Sequence, residues 1–112
     1  MPVRSIVRAE QMQTLPFSSI GASYTKIGTN FNHQMRMVKF VNLTDATLIF
    51  SFDGIVDHDI IPAGGFSLYD FCTNQELNGG FFVSVGTAIY VKESGTPTSG
   101  AVYVCSFFGA GD

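Results

Sequence analysis

The chain has 112 residues, a net charge of −3 and a pI near 5.1; 46% of it is hydrophobic, with 11 phenylalanines, and only 13% is charged. That length holds one domain around one core, and six scattered Lys and Arg residues exclude the clustered basic surface on which nucleic-acid binding rests. So many rings beside so few charges leave either an outsized core or exposed apolar surface, and the latter marks a partner interface.

Residues 1–16 read as an extended N-terminal arm carrying Arg4 and Arg8, with a turn or two of helix over 5–14 that Pro16 ends. Residues 17–112 read as a single β-sandwich domain, because short β-branched and aromatic runs alternate there with Gly, Asn, Asp and Pro clusters. A weak strand is expected in 18–27. The clearest run is 35–41, MRMVKFV, whose period of two places Met35, Met37, Lys39 and Val41 on one face and Arg36, Val38 and Phe40 on the other. NLTD, 42–45, is a turn, and TLIFSF, 47–52, is the next strand. Asp53-Gly54 is the dipeptide of a tight hairpin, which makes 55–61 the return strand. PAGG, 62–65, turns into FSLYDFC, 66–72.

A loop over 73–80 leads to FFVSV, 81–85; Gly86-Thr87 punctuates, and AIYVK, 88–92, alternates. ESGTPTSG, 93–100, is a solvent loop. AVYVCSFF, 101–108, is apolar on both faces, as a central strand requires, and the tail GAGD is expected to fray. About seven or eight strands at these spacings, joined by tight turns, predict an all-β, antiparallel, jelly-roll-like sandwich.

The stretch DGIVDHDII gathers Asp53, Asp57, His58 and Asp59 and is the one place where acid–base or metal chemistry suggests itself. In a strand, however, Asp57 and Asp59 share a face that His58 does not, and the spacing lacks the oxygen pattern of a calcium loop. His33 is the only other histidine. The carboxylates therefore read as a turn residue and as solvation of an edge strand. Cys72 and Cys105 lie in apolar runs that leave a thiol inert, and the glycine pairs precede strands rather than helices. No catalytic, metal or cofactor site and no small-molecule substrate is expected. The start of the chain lacks a secretory signal and no run has transmembrane length, so a reducing cytoplasm, two free thiols and no membrane partner are expected.

Charge is unevenly spread. Arg4, Arg8, Lys26, Arg36 and Lys39 precede residue 41, while Asp45, Asp53, Asp57, Asp59, Asp70 and Glu76 occupy a stretch without Lys or Arg up to residue 91. With Met35, Met37 and the Phe81-Phe82 and Phe107-Phe108 pairs exceeding what one inner face needs, a binding or assembly protein is the bottom-up expectation. The residues expected to meet a partner are Arg4, Arg8, Met35, Met37, Phe82, Tyr90 and Phe108.

The block FVNLTDATLIFSFDGIVDHDIIPAGGFSLYDFCTN, followed by GTAIYVKESGTPTSGAVYVCSFF, resembles segments of small structural proteins of tailed bacteriophages. In size and pattern the chain is similar to the cement or decoration proteins of short-tailed phages. That resemblance implies a jelly-roll-like sandwich that clamps copies of the major capsid protein on the outer surface of the virion, often as a homodimer, with the arm pairing Arg4 and Arg8 to capsid carboxylates. Two other readings are a neck, adaptor or tail component on the same sandwich, and a carbohydrate-binding sandwich using Tyr69, Tyr90 and Asp57 or Asp59.

Overall fold

Most apolar runs flanked by turn residues become strands in the computed structural model, which describes residues 5–70 and 83–111. Of the expected strand over 81–85, residues 81–82 lie outside those described and Val83 makes an isolated bridge to Met35. The strands are β1 Ser5–Ala9, β2 Gln13–Pro16, β3 Thr25–Ile27, β4 Met35–Asn42, β5 Leu48–Ser51, β6 Asp59–Ile61, β7 Phe66–Asp70, β8 Ile89–Glu93 and β9 Ala101–Gly111, with one 3-10 turn at Phe17–Ser19. They form two antiparallel sheets. The first runs β1-β9-β4-β7, with β2 also on β9; the second runs β3-β8-β5-β6. With β1 and β2 taken as one interrupted strand, the chain crosses between the layers at every step except from β5 to β6, which is the order of a jelly roll.

The N-terminal segment corrects the sequence reading. Residues 5–16 form neither helix nor free arm: β1 pairs with the far end of β9 (Ala9 opposite Phe107) and β2 with its near end (Gln13 opposite Val104). Between them the segment holds one residue more than β9, and Glu10 N–H bridges the gap to the Ser106 carbonyl at 3.0 Å. Leu15 packs on the core, and that burial together with the open edge of β9 outweighs the weak helical preference. Pro16 cannot donate, so Phe17 N–H takes over, 3.0 Å from the Gly100 carbonyl. The tail expected to fray continues the ladder instead, Gly111 facing Ser5.

Alternation along the central strands divides inside from outside. Val38 and Phe40 of β4 with Val102 and Val104 of β9 face Leu48 and Phe50 of β5, Ile61 of β6 and Ile89 and Val91 of β8, all essentially solvent-free. Phe40 lies at the centre, its ring 5.2 Å from those of both Phe50 and Tyr69, close enough for offset and tilted ring contacts. The period of two breaks once. Met35 pairs with Phe108 and Met37 with Phe107, so β4 carries a bulge that turns Met35 inward beside the Val38 face. Met35 is therefore a core residue rather than part of an exposed surface.

Two residues lock the end of the sandwich where β4 leaves the first sheet. Asn42 is wholly buried; its Nδ2 donates to the carbonyls of Ala46 (2.9 Å) and Ile61 (3.0 Å), and its Oδ1 accepts from Thr44 N–H (3.0 Å) and Thr44 Oγ1 (2.6 Å). One side chain thus ties the β4–β5 turn to β6 in the opposite layer. Gly100 sits against that turn with φ +88°, where a Cβ would stand 2.0 Å from the Leu43 carbonyl oxygen.

Asn42→Ala should lower unfolding stability by about 3 kcal/mol in urea titrations, since several buried donors and acceptors lose their partner. Gly100→Ala should cost at least about 2 kcal/mol from its left-handed backbone alone. Leu43→Ala, at a side chain 55% exposed, should stay within about 0.5 kcal/mol of the parent.

Candidate functional site

The acidic stretch after β5 does not converge. Instead of a two-residue hairpin, residues 52–58 make a wider loop, and β6 begins only at Asp59, opposite Phe50. Asp53 organises the loop from within: its Oδ1 accepts from Ile55 N–H (2.8 Å), Val56 N–H (3.0 Å) and Ser51 Oγ (2.8 Å). Those bonds, Val56's foremost, hold its carboxyl down to about 2. Asp57 turns the other way, accepting from the Tyr24 hydroxyl and lying 3.0 Å from Lys92 Nζ, which itself sits over the Tyr24 ring. The Tyr24 bond, then Lys92, lowers the Asp57 carboxyl, while burial and the bond to Asp57 push the Tyr24 hydroxyl up to about 12.

His58 Nδ1 accepts from Phe52 N–H at 3.0 Å, and Asp59 accepts from the Tyr69 hydroxyl, whose titration burial and that carboxylate raise. Each group is thus satisfied by a different partner. Among the described residues no three of His, Cys, Asp and Glu lie together as a metal site would need.

A cleft of about 420 Å³ opens between the β1–β2 junction and the loop before β4. Glu10 Oε2 binds His33 Nδ1 (2.6 Å) and Asn32 N–H (3.1 Å), and Gln13 Oε1 takes Thr29 N–H (2.7 Å). The His33 ring stacks on Phe108 at 3.7 Å, the planes within 1°. These bonds are spent joining the edge strand to the loop, so the cleft is a structural seam. Sequence reading noted His33 only as the second histidine and missed this contact, because its partner Glu10 lies 23 residues away.

The residues expected at an interface scatter. Arg4 and Phe82 lie outside the described residues, as does Cys72, expected as a free thiol. Arg8 is exposed on β1, but opposite Phe108 and thus near the cleft. Met35 is core, and Phe108 is partly buried under His33. Tyr90 points out of the second sheet but is roofed by the loop after β5, the Gly54 Cβ position lying 3.1 Å from its ring. Tyr69, a contact in the carbohydrate reading, has its ring against Phe40 and Phe52 and its hydroxyl on Asp59. Met37 lies half-buried on the outer face of β4.

Met37 belongs to a larger surface. The outer face of the first sheet carries Phe66 and Leu68 of β7, Met37, Lys39 and Val41 of β4, and Tyr103, Cys105 and Phe107 of β9. These align across the strands as Phe66–Val41–Tyr103 and Leu68–Lys39–Cys105. Phe66 is 63% exposed and Leu68 52%. Lys39 lays its ammonium 5.3 Å from the Phe66 ring, a cationic cover on an apolar row. A second apolar surface lies on the other layer, where Ile55 (81% exposed) and Val56 cap the loop and Ile60 projects from β6. No family model matches the chain, and no curated protein or solved structure matches it either.

The depressed Asp53 carboxyl fixes a sign. Its hold on the loop is complete above the ordinary aspartate range, roughly pH 4, and is lost as pH falls toward about 2. NMR should show the Ile55 and Val56 amide shifts titrating together with a midpoint near pH 2, and Asp53→Asn should abolish that titration. A midpoint in the ordinary range would remove the carboxylate from this role.

Proposed function

We propose that the chain is a non-enzymatic virion protein of a bacteriophage, a cement or decoration protein that docks on the major capsid protein and stabilises the shell. The observation that carries this reading is the pair of apolar, solvent-facing surfaces, one on each layer of a small sandwich. Isolated exposed hydrophobic side chains are ordinary, but contiguous rows such as Phe66–Val41–Tyr103 are characteristic of association. A protein that clamps neighbouring subunits needs more than one such surface, and several modest attachments act together as one firm one.

The jelly-roll order fits the same role as a rigid, closed scaffold, though the fold alone serves many functions. The likeness of the 40–74 and 86–108 segments to small phage structural proteins supports a capsid partner. The acidic stretch supports a non-catalytic reading, since each of its groups is engaged in holding the loop and the neighbouring strands.

Shells assembled without this chain should melt several degrees higher when the purified protein is added, in differential scanning calorimetry, and the protein should co-sediment with them. Ile55→Asp with Val56→Asp, at exposed positions, should weaken co-sedimentation at least tenfold while leaving the chain folded. Absence of both binding and a melting shift would overturn the reading, and closed rings of the isolated protein under the microscope would move it to the neck or adaptor.

A further inference from the structure

We infer that the cleft beside the β1–β2 junction holds a neutral saccharide, bound by the hydrogen-bonding groups that the seam leaves unengaged and by the exposed ring of His33. This goes beyond the shell-binding reading and stands without it.

The bonds that close the seam use only part of its polar lining. The Glu10 side chain is 9% exposed, yet Oε2 alone makes both of its bonds, with His33 Nδ1 and Asn32 N–H. Oε1 accepts from none of the described residues, and a carboxylate oxygen so far withdrawn from water calls for a donor. Gln13 gives its Oε1 to Thr29 N–H and keeps its Nε2 hydrogens. Gln11 and Asn32 line the same cleft with whole side-chain amides. One acceptor oxygen and three amide groups thus surround a volume of about 420 Å³, within the usual range of small-molecule sites.

Beside these groups stands an aromatic wall. The His33 ring lies flat on Phe108 at 3.7 Å, and its side chain is half-exposed. With one face on Phe108, that exposure falls on the opposite face and the edge. An aromatic face next to amides and a carboxylate matches a pyranose, whose C–H groups form a weakly positive apolar face and whose hydroxyls ring its edge. Each hydroxyl both donates and accepts, so it can meet the Glu10 oxygen and an amide together.

Charge argues against an ionic ligand. Glu10 faces His33, and Arg8 lies nearby on β1, opposite Phe108. Groups of both signs share the cleft, so neither an anion nor a cation meets a surplus of opposite charge. The site is also set in advance. Glu10 and Gln13 hold the backbone of Asn32 and Thr29, and the imidazole is fixed by its stack and its bond, which leaves little to order on binding.

The purified full chain should be titrated, with its amide NMR spectrum as readout, against glucose, galactose, mannose, N-acetylglucosamine and their disaccharides, with glucuronic acid and glucosamine as charged controls. At least one neutral sugar should shift the Thr29 and Asn32 amide resonances, with a dissociation constant on the order of millimolar. Gln11→Ala with Asn32→Ala should weaken that binding at least fivefold at an unchanged melting temperature, since both residues are exposed and the Asn32 N–H is retained. Leu68→Ser, on the outer face of the first sheet, should leave it unaltered. Purified bacterial surface polysaccharide tells the source: tighter binding to the polymer than to its free sugar assigns a surface glycan, equal binding a free saccharide, and either upholds the site.

Silence toward every sugar and polysaccharide tested overturns the proposal. So do shifts confined to the charged controls, which would make the ligand an ion. Binding that survives Gln11→Ala with Asn32→Ala would place the site outside the cleft and overturn it as well. Saccharide binding by a chain that leaves shells unchanged would uphold this inference and remove the cement reading.

Discussion

The ladder between β4 and β9 is the constraint on which the rest of this molecule depends. Both are central in the first sheet, and their side chains must alternate between two faces. Val38 and Phe40, with Val102 and Val104, take the inner face and line the core between the two layers. Everything between them in register, Lys39 and Val41 with Tyr103, Cys105 and Phe107, is then committed to the outside. The apolar exterior is therefore a geometric result of two strands that are hydrophobic on both sides. In a sheet covered on one face by its own chain, such strands leave the other face for something else.

Much of the fold was legible. The turn dipeptides, the period of two in MRMVKFV and the two-sided AVYVCSFF point to an antiparallel sandwich, and the strands fall where those patterns do. The failures share a cause. Helical potential in 5–14 is local, whereas the open edge of β9 that captures the segment is nearly a whole chain length away. The bulge that turns Met35 inward follows from its bridge to Val83 and its pairing with Phe108, contacts that no local pattern records. Asp53-Gly54 looks like a hairpin turn, yet Asp53 instead caps two amides of a wider loop.

The candidate site was less legible than the fold, because apolar residues at an interface and in a core are the same residues. Methionine and phenylalanine content marks a surplus of hydrophobic surface without saying which members of it are outside. Phe66 and Leu68 were overlooked in FSLYD since the alternation of that strand fits either orientation. What decides is Tyr69, whose ring closes the core against Phe40 and whose hydroxyl reaches Asp59, forcing its neighbours outward. Asn42, by contrast, looks like an ordinary turn asparagine and is the polar hub between the layers.

The pairing of Ser5 with Gly111 brings the two ends of the ladder side by side. A segment fused there would leave the molecule along the edge of the first sheet, while the Ile55–Val56 loop belongs to the other layer. The fold thus separates the point where the polypeptide can be tethered from the surfaces by which it would adhere.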